Sequence, residues 1–321
     1  MKEKSILEKI WKFLPIIGLF ILVYMMYIIG INKISNAFKT IPIYYYFLAL
    51  IPLIPREILR AYKWQYISKK QKMFFKLAYL LKISIISFFY GSITFGGVGW
   101  HVRIFYLKNK SNSTTEKCLV NSLIEITTSF LTGLFISLIG TIILFKRYPE
   151  ILPIVLIFFM FYLTVFIVLI KKSRGGKLFR IIIKLLIPRK YKEVVNQSVD
   201  RLYEDIPSLK DILPTFVIDG LVYLLMGIQA YLIAIPFNIN IPFFDFILIS
   251  TISVVFTGII PIGVSGIGVR EGMFVILAKS YGVAPDIAIV ISLGGYIVKS
   301  LVLSVTGFIL SIKTVNMKNK L

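Results

Sequence analysis

The chain has 321 residues, 57% of them apolar and 16% charged, against about half and about a quarter in an ordinary soluble domain. Several apolar runs exceed about 18 residues, roughly what a bilayer core requires, so composition excludes a pair of soluble domains and predicts a polytopic membrane protein. One cysteine, Cys118, excludes an intrachain disulfide, and one histidine, His101, excludes a His-based metal cluster within one chain. The net charge of +22 is assigned to cytoplasmic loops facing anionic headgroups, not to nucleic acid.

The predicted apolar segments, in chain order, are about 13–31, 42–59, 77–95, 118–145, 151–170, 212–235, 243–262 and 283–311. Lys2, Lys4, Lys9 and Lys12 precede the first run, which is longer than a signal h-region and is read as a retained span. The longest polar stretch, about 171–211, is too short for a catalytic domain. There is no Walker-type loop, no H-E-x-x-H and no G-x-S-x-G. No enzyme activity, catalytic residue, cofactor or metal is therefore expected.

Charge orients the segments. The loop 60–76 carries six basic residues and no acid, and 171–211 carries eleven Lys/Arg and five acids. The loops 32–40 and 146–150 carry two basic residues each. The positive-inside rule places the first pair, with both termini, in the cytoplasm. That assignment fails if 77–95 crosses the membrane. It holds if the chain enters at 77, turns at Gly96-Gly97-Val98-Gly99 and returns by about 112. A second such hairpin, 243–282, would turn at Pro261-Ile262-Gly263-Val264-Ser265-Gly266. Irregular backbone at this depth needs protein or water around it. The fold expected is an all-α polytopic membrane protein with two inverted-topology units, 1–145 and 146–321, each with three spans and one re-entrant hairpin. Segment 177–188, ended by Pro188, fits a basic amphipathic helix on the inner leaflet or a cytoplasmic helix packed on the bundle.

Charges inside spans are costly, so each is a candidate. Gly266-Ile267-Gly268 precedes Arg270 and Glu271. A helix starting there aims free N–H groups and a guanidinium fork at the break, which suits an anion; a structural Arg270–Glu271 pair is the alternative. Gly97, Gly99 and Arg103 would repeat the arrangement at the first tip, unless Arg103 snorkels to the surface. Glu125 and Lys299 follow the two hairpins at corresponding places and can neutralise one another, or Glu125 can carry a proton. Asp219 reads as a solvated or helix-capping residue, and Trp100 with His101 as an interfacial anchor. Arg56, Arg60, Lys63 and Trp64 are expected at the inner interface, as anchors or as lipid-phosphate contacts.

These motifs resemble the lysylphosphatidylglycerol synthase/flippase transmembrane region family. The matching places are Arg60-Ala61-Tyr62-Lys63-Trp64, the Gly-rich tip reaching Arg103, Glu125, and above all Pro261-Ile262-Gly263-Val264-Ser265-Gly266-Ile267-Gly268-Val269-Arg270-Glu271. Lys299 sits where the family often has Arg. Thr94-Phe95 replaces a usual Pro, and the Arg and Asp that often follow the Glu are absent. The resemblance implies the lipid-translocating part of such proteins without the synthase part. The expected function is thus a flippase for an anionic or phosphate-linked lipid in the cell membrane. The expected partners are membrane lipids, with a homo-oligomer or a lipid-biosynthetic partner compatible with the chain. An accessory subunit or embedded enzyme of lipid glycosylation, and a small-solute secondary transporter, are the alternatives.

Overall fold

The computed structural model describes residues 23, 24, 27, 31–111, 113–170, 205–260, 262 and 265–318. The expected first span, the segment 177–188 and Gly263 lie wholly or largely outside these residues. Among the described residues every regular element is helical.

The described elements begin with α1 (Ile31–Lys39), α2 (Ile43–Leu48) and α3 (Leu53–Lys70). The single apolar segment expected at 42–59 is therefore split. Pro42 and Pro52 stand at the helix starts, and Pro55 falls in the first turn of α3, where its missing N–H costs no helical bond. The basic stretch from Arg60 to Lys70, expected as loop, instead continues α3. Lys63 and Lys70 there meet carboxylates of other helices, and Arg60 pairs with Glu57 of its own.

α4 (Leu77–Ile93) is followed by a 3-10 helix, Phe95–Val102, and by α5 (Arg103–Ser111). The chain folds back here: the Tyr79 hydroxyl donates to the Tyr106 carbonyl at 2.9 Å. Leu80, Ile83 and Leu107 share one buried cluster with Trp64. α6 (Thr115–Ile143) is capped by Thr114, whose hydroxyl accepts from the Lys117 N–H. The apolar α7 (Ile151–Ile170) follows.

α8 (Leu209–Ala234) starts with a capping box between Ser208 and Asp211. α9 (Phe243–Ile259) and α10 (Val269–Lys279) form a second fold-back. Phe246 and Phe274 meet edge-on at 5.6 Å, and the Tyr281 hydroxyl donates to Asp245 at 2.6 Å. The turn between them needs left-handed backbone, with Gly266 at φ 73° and Gly268 at φ 92°. α11 (Pro285–Lys318) closes the bundle.

The segments α6, Leu209–Phe237 and Pro285–Lys313 are long and apolar enough to cross a membrane, while α4, α9 and Ile151–Ile167 are shorter apolar helices. α11 packs on α4 with little separation. A Cβ placed at Gly307 would lie 2.5 Å from the Ile85 carbonyl oxygen, so the small residue permits the contact. Ser92 and Ser304 then share a hydrogen bond at 3.1 Å. The molecule is an all-helical membrane protein whose first and second halves interlock.

Candidate functional site

A cavity of about 370 Å³ lies where α3, α4, α8, α9, α10 and α11 converge. Its polar lining is strongly cationic, with Arg56 from α3, Arg270 from α10 and Lys299 from α11. Serine and threonine hydroxyls complete it, including Ser250 and Thr257 of α9.

Each cation is positioned differently. Arg56 donates through Nη1 to the Gln229 amide oxygen at 2.6 Å and through Nε to Glu57 at 3.3 Å. Its remaining nitrogen, Nη2, is buried without a partner among the described residues, and so is the Ser250 hydroxyl. Arg270 reaches Glu271 through Nε at 2.9 Å and through Nη2. The opposite face of its guanidinium lies on the Tyr296 ring, 4.0 Å from the centroid. Glu271 is itself held, because its second oxygen accepts from the Gly268 N–H at 2.7 Å and caps α10. Lys299 lies 4.8 Å from the centre of the Phe88 ring and has no ion pair among the described residues. A buried polar atom left unpaired costs about 1–3 kcal/mol; six further such side-chain atoms among the described residues lie away from the cavity.

Behind the cavity, across Trp100, lies a second buried cluster. Lys63 Nζ reaches both oxygens of Asp219, at 2.9 and 3.0 Å, and Glu125 Oε1 at 3.3 Å. Arg103 Nη1 pairs with the other Glu125 oxygen at 2.6 Å. The Ser129 hydroxyl donates to Asp219 at 2.9 Å, and Lys63 also contacts Ser129. The Arg103 guanidinium lies between Trp64 and Trp100, 4.8 and 5.6 Å from their centroids. Two cations and two carboxylates balance formally, as burial of charge requires.

These positions revise several expectations. Arg56, Lys63 and Trp64 are inside the bundle, at 3%, 0% and 1% exposure, not at a lipid-facing interface. The Trp64 indole N–H donates to Asn121 at 2.7 Å. Arg60 is the outermost of the group and pairs with Glu57 at 3.4 Å. Glu125 and Lys299 do not neutralise one another; Glu125 is matched by Arg103 and Lys63. Asp219 is buried at 1% exposure and ion-paired, neither solvated nor capping.

The two tips are not equivalent. Gly97 and Gly99 belong to the 3-10 helix, and a Cβ at Gly99 would lie 2.1 Å from the Tyr90 carbonyl oxygen. That glycine serves close packing, and Arg103 just beyond it is consumed by Glu125. Among the described residues of this segment, Trp100 is what reaches the cavity. At the second tip Gly266 and Arg270 line the cavity, while Gly268 and Glu271 hold Arg270 in place.

Sequence reasoning did not select Gln229, Ser250 or Tyr296. The signal for Gln229 was available, since an amide in the middle of a long apolar helix is costly without a partner. Ser250 and Tyr296 carried no such signal.

The helices, the buried charges and the apolar exterior define an integral membrane protein. The chain belongs to the family described as the lysylphosphatidylglycerol synthase TM region, whose match spans residues 15–307. Membership indicates a lipid-related function in a membrane. No curated protein matches the chain.

Proposed function

We propose that the protein translocates an anionic, phosphate-bearing lipid between the leaflets of a cell membrane, with both termini cytoplasmic and no chemistry of its own. The observation that carries this reading is the cavity into which Arg56, Arg270 and Lys299 converge, with Arg56 Nη2 left without a partner among the described residues. A phosphate group would take hydrogen bonds from both guanidinium groups and the ammonium. Acyl or prenyl tails would stay in the lipid. The α4–α5 and α9–α10 fold-backs support two re-entrant hairpins, one in each of two inverted units, 1–145 and 146–321. In that arrangement α10 would start near mid-membrane, with its positive end beside the headgroup.

The test uses purified protein in liposomes carrying acyl-labelled phosphatidylglycerol, phosphatidic acid or phosphatidylcholine. Loss of fluorescence to an impermeant reductant reports movement between leaflets. Faster movement of at least one anionic lipid than of phosphatidylcholine is expected. Arg270→Ala should slow it by about tenfold or more, the value of one hydrogen bond to a charged group. Wild-type rates for both Arg270→Ala and Arg270→Lys would end this mechanism.

A further inference from the structure

Among the described residues the charge around the cavity is not balanced. Arg56 and Arg60 share the single carboxylate of Glu57. Arg270 is matched by Glu271. Lys299 has no carboxylate within ion-pair distance among the described residues; within its electrostatic reach lie Arg56, Arg60 and Arg270 against the single carboxylate of Glu57. The neighbouring cluster of Lys63, Arg103, Glu125 and Asp219 has two charges of each sign and is joined to the cavity through Arg60, which feels Glu57, Glu125 and Asp219 together. Taken with that cluster, six cations (Arg56, Arg60, Lys63, Arg103, Arg270 and Lys299) and four carboxylates (Glu57, Glu125, Asp219 and Glu271) leave a formal surplus of two positive charges among the described residues.

Cations crowded around a cavity inside the bundle repel one another. The occupant that removes this cost is an anion carrying two charges. A phosphodiester headgroup such as that of phosphatidylglycerol carries one. A phosphomonoester or a diphosphate carries about two near neutral pH.

We infer that the cavity selects a doubly charged phosphate group, a phosphomonoester or diphosphate on a lipid, over a phosphodiester, and that Lys299 is the specificity-determining residue. This rests on the reading of the cavity as a headgroup site. Arg56 and Arg270 grip any phosphate, because each offers nitrogen donors held in place by Gln229, Glu57 and Glu271. Lys299 adds the charge that only a second negative charge answers. The orphan Ser250 hydroxyl supplies a further donor on the α9 side.

The experiment measures thermal stabilisation of the full-length protein in neutral detergent at about pH 8, where a phosphomonoester is doubly ionised. The ligands are phosphatidic acid and phosphatidylglycerol with identical acyl chains, and inorganic phosphate. Phosphatidic acid should half-saturate at about tenfold lower concentration than phosphatidylglycerol, one charged hydrogen bond's worth. Lys299→Gln should abolish the difference and Lys299→Arg should retain it. Equal half-saturation of wild type by the two lipids, or a preference unchanged in Lys299→Gln, overturns the inference. Inorganic phosphate as potent as phosphatidic acid would keep the dianion site but reject a lipid occupant. Phosphatidic acid that binds with this preference but is not moved in liposomes would keep the inference and reject translocation.

Discussion

Lys63 on α3 and Asp219 on α8 meet at 2.9 Å inside the bundle, although 156 positions separate them. Both are essentially without solvent contact. An ion pair so placed is worth less as a pair than the loss of either partner costs, because the survivor is a buried uncompensated charge. Lys63→Met and Asp219→Asn are each expected to destabilise by about 3–5 kcal/mol, seen as a lower Tm in detergent. The double variant should recover part of that loss. Strictly additive losses would show that the two residues do not act as a unit.

Gln229 offers a way to change the charge of the cavity with little change of shape. Its amide oxygen accepts from Arg56 at 2.6 Å, and Gln229→Glu preserves that acceptor while adding a negative charge. The formal surplus then falls from two to one. Phosphatidic acid should lose its advantage over phosphatidylglycerol in thermal stabilisation, while Arg56 stays in place. An unchanged advantage would mean that net charge does not set the preference.

Gly266 tests the second fold-back. Its φ of 73° disfavours a side chain, and an added Cβ would lie 2.5 Å from Thr257. Gly266→Ala is expected to cost about 1–3 kcal/mol and to weaken phosphatidic acid binding, since Arg270 hangs from the same turn. Gly282, at φ 75°, has open space around its Cβ position. Gly282→Ala should lower Tm and leave lipid binding unchanged, which separates backbone strain from damage to the site.

The turn before α8 carries a pH-dependent contact. Hydrogen bonds from Lys117 and then Lys72 hold the Asp205 carboxyl below the usual aspartate range. A carboxylate whose pKa is depressed on folding contributes stability above its unfolded value, about 3.9. That contribution disappears as pH falls through the folded value. Wild type should therefore exceed Asp205→Asn in Tm at neutral pH. The gap should begin to narrow as pH falls below about 5 and close only once pH has dropped below the folded value. A gap that stays constant as pH falls from neutral to below about 4 would show that the contact is not electrostatic.

Membrane sidedness is open to a direct measurement. Cys118 is fully buried, so Cys118→Ser gives a silent background for single cysteines at Asn112, Ser173 and Asn240. An impermeant thiol reagent applied to intact cells should label the Asn240 variant and spare the other two. Labelling at Asn112 would mean that 77–95 crosses the membrane, and the inverted arrangement of the two units would fall with it.

The sequence was most legible where the signal is local. Long apolar runs announced α6, α8 and α11, and the glycines before Arg270 announced a break. It was least legible from Pro52 to Lys70. A run containing Arg56, Arg60, Lys63, Lys69 and Lys70 looks like a solvated loop, because nothing near it in sequence offers enough negative charge. Its partners Glu125, Asp219, Gln229 and Asp211 come from two later helices. The same distance effect hid the pairing of Arg103 with Glu125, because the Gly-rich neighbourhood of Arg103 matched that of Arg270.

By itself, then, the sequence determined that the chain belongs in a membrane, where its long helices run and where its backbone breaks. Those outcomes follow from hydropathy, helix length and the steric freedom of glycine, all properties of neighbouring residues. Only the tertiary structure decided which charges are spent on one another and which remain to face a ligand. Electrostatic pairing in a low-dielectric interior depends on distance in space. Lys63, Arg103, Glu125 and Asp219 cancel because folding brings them together, and Arg56, Arg270 and Lys299 are left with a surplus because it does not bring them enough carboxylates.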